Sequence, residues 1–458
     1  MRHLQRLLGA AVACGALAAA AAGTGPAHAL DNELWISAPY ETVLPGADAG
    51  GSAPERRLDV AVSRDVADGR VPAGQLTVDV SEIAGFARVS WPANCAPESE
   101  TRAVCAFPEM PAGTDSVPAA TFKLRALPGA DVGSSGQVRY SATAGDLTSH
   151  AGQTRVGVGN GPDLGLSEAP HQRDLRPGTV TSVRATLSNT GNRTAERTLL
   201  WINASYGLRF TERHANCEYR EHDTGTGALC VLDEAVAPGQ RFALDTELGV
   251  GRKALYERFD HSVQPYSDEA LAEARGEWTW TRGTGAELDL RPAAGGARAS
   301  APEPDIDPQD NYGTIILDAR NTADLELTGS RVRGAAGDTV TAKITVHNRG
   351  PAWVASLGVG AAVATVRFQA PEGTTVGPLP EDRCRPAEDG TSPTTYYCRT
   401  PIHLHDKASY TFEIPLRIDR VVRGARTTVA TLNDDPELSI RKFDPNLRNN
   451  RTEIVVNR

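Results

Sequence analysis

The sequence of 458 residues has few aromatic side chains, 5% of the total, and almost no helical periodicity. It also lacks the local motifs of common catalytic classes, since it has no G-x-S-x-G elbow, no H-E-x-x-H and no P-loop. No paired His and Cys is available as a nucleophile. We therefore expect a protein that is not an enzyme, although a hydrolase built on two distant carboxylates leaves no local signature and stays an alternative.

Positive charge is also scarce. The chain has 47 Lys and Arg against 57 Asp and Glu, which gives a formal net charge of −10. Residues 1–29 contain two arginines and no acid, so their removal makes the net charge −12. Such a protein repels nucleic acid and anionic lipid, and we expect neither as a partner. The preference for Arg over Lys, with abundant Ala, Gly and Pro, is typical of a high-GC bacterial genome such as an actinobacterial one.

No apolar run after Leu30 reaches the roughly 20 residues that a membrane-spanning helix needs. Before Leu30, two arginines precede the apolar run LLGAAVACGALAAAAAG, and AHA at Ala27 to Ala29 matches an A-x-A cleavage site. Residues 1–29 are therefore predicted to be a signal peptide, and the mature protein to be secreted and extracellular. Cys14, in AVAC, suggests a lipoprotein as an alternative, but the apolar run continues well beyond it, which favours a cysteine that is discarded.

Short runs of β-branched and aromatic residues make up much of the chain. They alternate with period two and are separated by Gly, Pro, Asn and Asp, as in RLDVAVSRD, QLTVDVS, TVTSVRATLSN, TVTAKITVHN, ATVRFQA, SYTFEIPLRI and TEIVVN. Many such strands at close spacing predict β-sandwiches. The one helical pattern is Ser267 to Arg275, where Ser267 is a candidate N-cap. About 430 mature residues suggest roughly three domains.

One phrase occurs twice, as VRATLSNTGNRTA and AKITVHNRGPAWV. Each copy has a Gly before TVT, an Asn eleven residues after that Gly, and a second Gly two residues later. These residues are Gly178, Asn189 and Gly191 in one copy, and Gly337, Asn348 and Gly350 in the other. The spacing predicts a strand that ends at an Asn bonded to the backbone, and then a Gly whose positive φ turns the chain. GPDLGLS and TADLELT, just upstream, predict the starts of a second and a third domain.

Six cysteines remain after export, in three blocks that lie more than a hundred residues apart. Six cysteines permit fifteen disulfide pairings, and the repeat selects the pairing within each block. The predicted bonds are Cys95–Cys105, Cys217–Cys230 and Cys384–Cys398. Zinc binding is the alternative, but these pairs lack C-x-x-C spacing and no nearby His completes a zinc set.

A turn and another strand come after each cysteine block, with Phe122, Phe242 and Phe412 as predicted core residues. The repeat is therefore a whole domain that occurs three times. We predict an all-β protein of three tandem β-sandwich domains, at residues 30–160, 161–322 and 323–458. The second is predicted to carry an insertion at about 251–305, which contains the short helix and the Gly-, Ala- and Pro-rich stretch AAGGARASAPEPD.

The N-x-G strand end, the later Cys pair, the PGQRFAL segment and the closing strand DPNLRNNRTEIVV resemble bacterial Ig-like repeats of the CARDB-type, or cell-adhesion-related, group. The resemblance covers most of residues 161–458. In residues 30–160 it covers only the cysteine block and the segment after that block. It implies tandem Ig-like β-sandwiches on an exported bacterial protein, with a role in surface interaction or spacing rather than catalysis.

Two clusters are candidate metal sites. Asp305, Asp307 and Asp310, with the adjacent Asn311, offer oxygen ligands that suit calcium, although Asp-Pro and Asp-Asn are also ordinary turn formers. His403 and His405 share a strand face, but they need a third ligand from elsewhere before they form a metal site. Calcium is thus the only cofactor that the sequence suggests.

Trp278 and Trp280, in WTWTRGTG, are predicted to face the same side of a strand. They offer a platform for a sugar ring, and packing in the core is the alternative that we favour. The expected function is that of a secreted, non-enzymatic interaction, adhesion-like or spacer protein, whose partner is an extracellular protein or glycan. The alternative is a secreted carbohydrate-binding or hydrolytic protein with its site in the insertion of the second domain.

Overall fold

The structure is a computed structural model that describes residues 33–47, 53–64, 69–292, 305–308, 310–358, 360–387, 394–432 and 440–457. The predicted signal peptide, with Cys14 and Leu30, lies outside the described residues, as does all but the last residue of AAGGARASAPEPD.

Unit one is the first set of paired strands. Its strands are β1 (Leu34–Ser37), β2 (Glu41–Pro45), β3 (Arg56–Arg64), β4 (Gly74–Asp79), β5 (Ala87–Ser90), β6 (Cys95–Pro97), β7 (Arg102–Phe107), β8 (Ser116–Ala126), β9 (Ser135–Ala144), β10 (Leu147–Thr148) and β11 (Gly152–Gly159). A smaller sheet has the order β1-β3-β8-β5, and a larger one has the order β2-β11-β9-β4-β7-β6, with β10 beside β9.

Unit two has the same plan. Its strands are β12 (Leu164–Leu166), β13 (Gln172–Leu175), β14 (Val180–Asn189), β15 (Thr198–Ser205), β16 (Leu208–Phe210), β17 (Cys217–His222), β18 (Gly225–Leu232), β19 (Arg241–Val250), β20 (Tyr256–Pro265), β21 (Thr281–Arg282), β22 (Arg291–Pro292) and β23 (Tyr312–Ala319). The smaller sheet runs β12-β14-β19-β16 with β22 beside β19, and the larger runs β13-β23-β20-β15-β18-β17-β21.

Unit three has the same plan as units one and two. Its strands are β24 (Leu325–Thr328), β25 (Arg331–Val332), β26 (Thr339–Asn348), β27 (Val354–Ala355), β28 (Thr365–Gln369), β29 (Thr374–Val376), β30 (Cys384–Pro386), β31 (Thr395–Arg399), β32 (His403–Leu404), β33 (Ser409–Ile418), β34 (Ala425–Thr431) and β35 (Arg451–Val456). The sheets run β24-β26-β33-β29 and β25-β35-β34-β28-β31-β30, β27 pairs with β32, and a single 3₁₀ turn lies at Ile440–Lys442.

The three units share one strand order. With the letters of an immunoglobulin domain, each smaller sheet is A-B-E-D and each larger sheet begins A′-G-F-C. In every unit the A′ strand runs parallel to G, as β2 does to β11, β13 to β23 and β25 to β35. The predicted fold class is confirmed, because the described chain forms three tandem Ig-like β-sandwiches with one short α-helix in the second. The predicted domain boundaries stay predictions.

Alternating burial along the strands builds the cores. In β14, Val183, Ala185, Leu187 and Asn189 point inward while the residues between them are at least partly exposed. The same period two gives each unit its own hydrophobic cluster, and the three predicted core Phe residues are buried. Unit two contributes Leu255 to the cluster of unit three.

The N-x-G motif works differently from the prediction in one respect. The strands β14 and β26 do end at Asn189 and Asn348, whose fully buried amides hydrogen-bond backbone N–H and C=O groups of neighbouring loops. However, neither Gly191 nor Gly350 has positive φ, so that part of the prediction is wrong. A Cβ on Gly191 would lie 2.3 Å from the carbonyl oxygen of Gly161, so the glycine is needed for close approach of two backbones.

Unit one has an arginine where the other units have the motif's Asn. The first residue of strand A pairs with the last residue of strand B in all three units, namely Leu34 with Arg64, Leu164 with Asn189, and Leu325 with Asn348. Arg64 is 5% exposed and donates to the carbonyl oxygens of Gly69, Pro111 and Thr114. The buried Arg64 guanidinium therefore joins the loops that the motif's Asn joins in units two and three. This explains why unit one needs no N-x-G motif.

The residues peculiar to unit two begin later than predicted. Strand β20, at Tyr256–Pro265, occupies the F position that β9 and β34 hold in the other units, so it belongs to the shared sandwich. The additions after it are helix α1 (Asp268–Arg275), β21 and β22. The predicted N-cap is confirmed, since the Ser267 side chain accepts a hydrogen bond from the Ala270 N–H.

The three predicted disulfides are all present, which removes the zinc alternative for these cysteines. Each bond joins directly paired residues of two neighbouring strands in the larger sheet: β6 with β7, β17 with β18, and β30 with β31. The bonds therefore fasten a hairpin beside strand C and do not cross between the two sheets of a sandwich.

Candidate functional site

The junction between units one and two is built around Arg56. This residue is 8% exposed and faces inward at the start of β3, where it contacts the carboxylate of Asp163, the residue just before β12. The same guanidinium nitrogen donates to Thr190 Oγ1 at 2.8 Å, and Nε donates to the Val43 carbonyl oxygen at 3.2 Å. Because Asp163 is fully buried, this ion pair lies away from solvent.

Three further carboxylates lie around Arg56. Its guanidinium nitrogens are 3.9 Å from Asp307 and 4.0 Å from Asp310, while Asp305 accepts from the Leu164 N–H at 2.9 Å. Burial and the negative charge of Asp163 raise the pKa of Asp310 to about 7, and burial raises the pKa of Asp305 to about 6. The junction therefore has more negative than positive charge when all four acids are ionised, although the Asp310 side chain is 53% exposed.

Other hydrogen bonds also cross this junction. Thr42 donates to Asp307 at 3.0 Å, and the Asn192 amide donates to the Gly46 carbonyl oxygen at 2.9 Å. Asn192 comes directly after the N-x-G motif of unit two, so the motif positions one of the contacts to the preceding unit.

The predicted calcium ligands Asp305, Asp307 and Asp310 all lie at this junction, where Arg56 supplies positive charge in place of the predicted metal ion. Among the described residues, no group of three or more His, Cys, Asp or Glu side chains is arranged to hold a metal ion. Calcium binding thus stays a prediction without a ligand set to support it.

The junction between units two and three is centred on Glu257. Its buried carboxylate accepts hydrogen bonds from Ser205 Oγ at 2.5 Å, from the N–H groups of Gly207 and Leu255 at 2.9 and 3.0 Å, and from the Trp353 indole at 2.6 Å. Trp353 belongs to unit three and is fully buried. Burial raises the pKa of Glu257, and the four donors oppose that rise.

A ring cluster surrounds the Trp353 side of this junction. The His405 ring stacks on Trp353 with centroids 5.7 Å apart, and Tyr206 of unit two lies 4.3 Å from His405. Lys253 of unit two pairs with Asp406 of unit three at 2.9 Å. His403 and His405, the candidate metal ligands, instead pack beside the buried indole.

Trp278 and Trp280 do not lie on a strand, so their predicted arrangement is wrong. Both precede β21, in the turn after α1. Trp280 is half-buried and packs over Gly227, whereas Trp278 is 61% exposed and lies against the guanidinium of Arg220 at 3.8 Å. Trp280 therefore packs on the outer face of the sheet rather than in the core, and of the two rings Trp278 is the open one.

The residues that build the two junctions were missed by sequence reasoning, although a signal was present. Arg56 and Glu257 occupy inward positions of alternating strands, where an apolar residue is the rule and a charge needs a partner. A charged residue in phase with the core face is thus a marker of a buried polar contact.

Comparison with known proteins gives no family. No protein-family model matches this chain, and no curated protein matches it. None of the helices among the described residues is long and apolar enough to span a membrane.

Several solved structures have partly similar chains. Dpr2 Ig1-Ig2 in complex with DIP-Theta Ig1-Ig3 has 7% identity, with 92% of this chain and 99% of that chain covered and a TM-score of 0.24. Escherichia coli alpha-2-macroglobulin activated by porcine elastase has 12% identity over 93% of this chain and 33% of that chain, with a TM-score of 0.17. Red sea bream transglutaminase has 10% identity over 63% and 31%, with a TM-score of 0.21. Such low scores carry no argument, so the Ig-like assignment depends on strand order alone.

Proposed function

We propose that this chain is a secreted, non-enzymatic interaction or spacer protein, adhesion-like in its role, that holds three Ig-like β-sandwiches in fixed relative positions. The observation that carries the proposal is that both junctions are closed by buried polar contacts between units, Arg56 with Asp163 and Trp353 with Glu257. Removal of one partner from a buried ion pair costs about 3–5 kcal/mol, so these contacts oppose motion between units.

Further support comes from chemistry that suits an extracellular protein. Three disulfides persist in oxidising compartments, and the acidic net charge of the chain keeps it away from nucleic acid and anionic lipid. Secretion, the CARDB-type relationship and an actinobacterial source belong to the same proposal and have the sequence features as their support. The partner is an extracellular protein or glycan.

Small-angle scattering of the full mature chain tests the spacer role. We expect the wild-type profile to fit one rigid arrangement, and Asp163→Ala to broaden the distribution of interatomic distances because Arg56 loses its buried partner. Asp59→Ala is the matched control, because Asp59 is an exposed residue of β3, the strand that also contains Arg56. We expect it to leave the scattering profile unchanged. A wild-type profile that requires an ensemble of arrangements would contradict the proposal. Turnover of a polysaccharide or peptide by the purified chain would overturn its non-enzymatic part.

A further inference from the structure

A turn on the outer face of unit two holds an exposed indole in place. After α1 ends at Arg275, residues 276–280 fold back over β17 and β18, and we name them the indole turn. Trp280 fixes this turn because its Nε1 donates to the Arg275 carbonyl oxygen at 3.0 Å. Its ring lies over Gly227, where an added Cβ would be 3.7 Å from the indole. The turn is therefore anchored by one tryptophan and presents the other.

The presented residue is Trp278, which is 61% exposed. The guanidinium carbon of Arg220 lies 3.8 Å from the centroid of its ring, within the range of a cation–π contact. Arg220 is on β17, directly opposite Gly227 on β18, so both tryptophans rest on one pair of sheet residues. The indole is held by its neighbours while more than half of its side chain stays open to a ligand.

Arg220 differs from the other arginines around the turn. Arg275 pairs with Glu218 at 2.5 Å, and Arg213 pairs with Glu221. Among the residues that the structure describes, the Arg220 side chain contacts the Trp278 ring. No described carboxylate or other hydrogen-bond acceptor pairs with it. Its guanidinium thus covers one face of the exposed ring and leaves the other face open, on a protein whose net charge is negative.

We propose that Trp278 and Arg220 bind a pyranose that carries a carboxylate, such as a uronic acid unit of an extracellular polysaccharide. The flat apolar face of a pyranose can stack on the indole face that Arg220 leaves open and remove both surfaces from water. A guanidinium binds a carboxylate through two parallel N–H bonds, so the carboxylate of an adjoining uronic acid unit that passes the edge of the indole can bind Arg220, which adds selectivity for an acidic oligosaccharide. This inference depends on the proposed interaction role and names the chemistry of one partner.

Isothermal titration calorimetry of the full mature chain tests the proposal. The probes are four-unit oligomers of galacturonic acid and of glucuronic acid, and the matching neutral oligomers of galactose and glucose. We expect at least one acidic oligomer to bind at least tenfold more tightly than its neutral match. Trp278→Ala and Arg220→Gln are each expected to weaken that binding at least tenfold. Tyr40→Ala, at a 75% exposed aromatic residue of unit one, is the matched control and should leave it unchanged.

Three results would overturn the inference: no binding of either acidic oligomer at millimolar concentration, equal affinity for acidic and neutral oligomers, or binding that survives Trp278→Ala. Circular dichroism of each variant checks that the β-fold persists. A wild-type chain that scatters as one rigid particle but binds no acidic oligomer would refute this site and leave the spacer role standing.

Discussion

Replacement of Trp353 by Phe separates the hydrogen bond at the second junction from the packing around it. The Trp353 indole is fully buried and donates to Glu257 at 2.6 Å. Phe keeps an aromatic ring in the same space and removes the N–H. Three donors to the carboxylate remain, from Ser205, Gly207 and Leu255, of which only the Leu255 N–H reaches the same oxygen.

The expected loss has two parts. A hydrogen bond of this kind contributes about 1–3 kcal/mol, with the higher figure for an ionised carboxylate. The smaller ring leaves a gap that costs about 1 kcal/mol more. We therefore expect Trp353→Phe to lower the unfolding free energy of the region by about 2–4 kcal/mol, and Trp353→Ala to lower it further.

Native-state hydrogen exchange of β15, β20 and β26 measures this loss locally, which matters because three units need not unfold in one step. Trp201→Phe is the control, since Trp201 lies on the outer, half-exposed face of β15, and we expect it to change exchange by less than about 1 kcal/mol. A Trp353→Phe variant within about 0.5 kcal/mol of wild type would refute the reasoning that the indole bond closes this junction.

Three further changes test other contacts of the fold. Arg64→Ala removes a buried guanidinium that donates to three backbone carbonyl oxygens and should lower the unfolding free energy by about 3 kcal/mol in urea. Arg57→Ala, at an exposed ion pair, should change it by less than about 0.5 kcal/mol. Gly191→Ala brings a Cβ against backbone and should cost about 2–3 kcal/mol in the same assay; a neutral result would contradict the close-approach explanation. The pKa of Asp310 is raised to about 7, so its deprotonation destabilises the folded state as pH rises, and Asp310→Asn should gain stability relative to wild type between about pH 4 and pH 7.5 in urea titrations. A difference that does not change with pH would contradict that assignment.

The repeated sandwich could be predicted from sequence because its signals are local. Period-two alternation places side chains on two faces whatever the tertiary context. The strands β3 and β14 accordingly form where RLDVAVSRD and TVTSVRATLSN predicted them. The disulfide pairing could be predicted because one pair of cysteines recurs in each repeat. The role of Gly191 could not, because a glycine that relieves backbone contact and one that adopts positive φ look identical in a sequence.

The junctions could not be predicted because they join residues that are distant in sequence. Arg56 and Asp163 are 107 residues apart, and Trp353 and Glu257 are 96 apart. The alternation within one strand does not indicate which unit an inward-facing charged residue will contact. The arrangement of the two tryptophans in the indole turn was mispredicted for the same reason. Their spacing suits one face of a strand, but the preceding helix α1 and the contact of Trp280 with Gly227 place them in a turn.

The disulfides offer a prediction in which two similar bonds should have unequal effects. Cys217–Cys230 and Cys384–Cys398 close loops with sequence separations of 13 and 14, so loop entropy assigns about 3 kcal/mol to each. The disulfide-bonded strands β17 and β30 differ in the elements that contact them. β17 is paired on its second side by β21 and holds α1 through Glu218, whereas β30 is the last described strand of its sheet. Replacement of the unit-three pair by Ser should therefore abolish the protection of β30 amides from hydrogen exchange, while the unit-two pair of substitutions should leave β17 measurably protected. Equal loss of protection in the two strands would show that β21 and α1 do not stabilise β17, because the covalent contribution is matched between the variants.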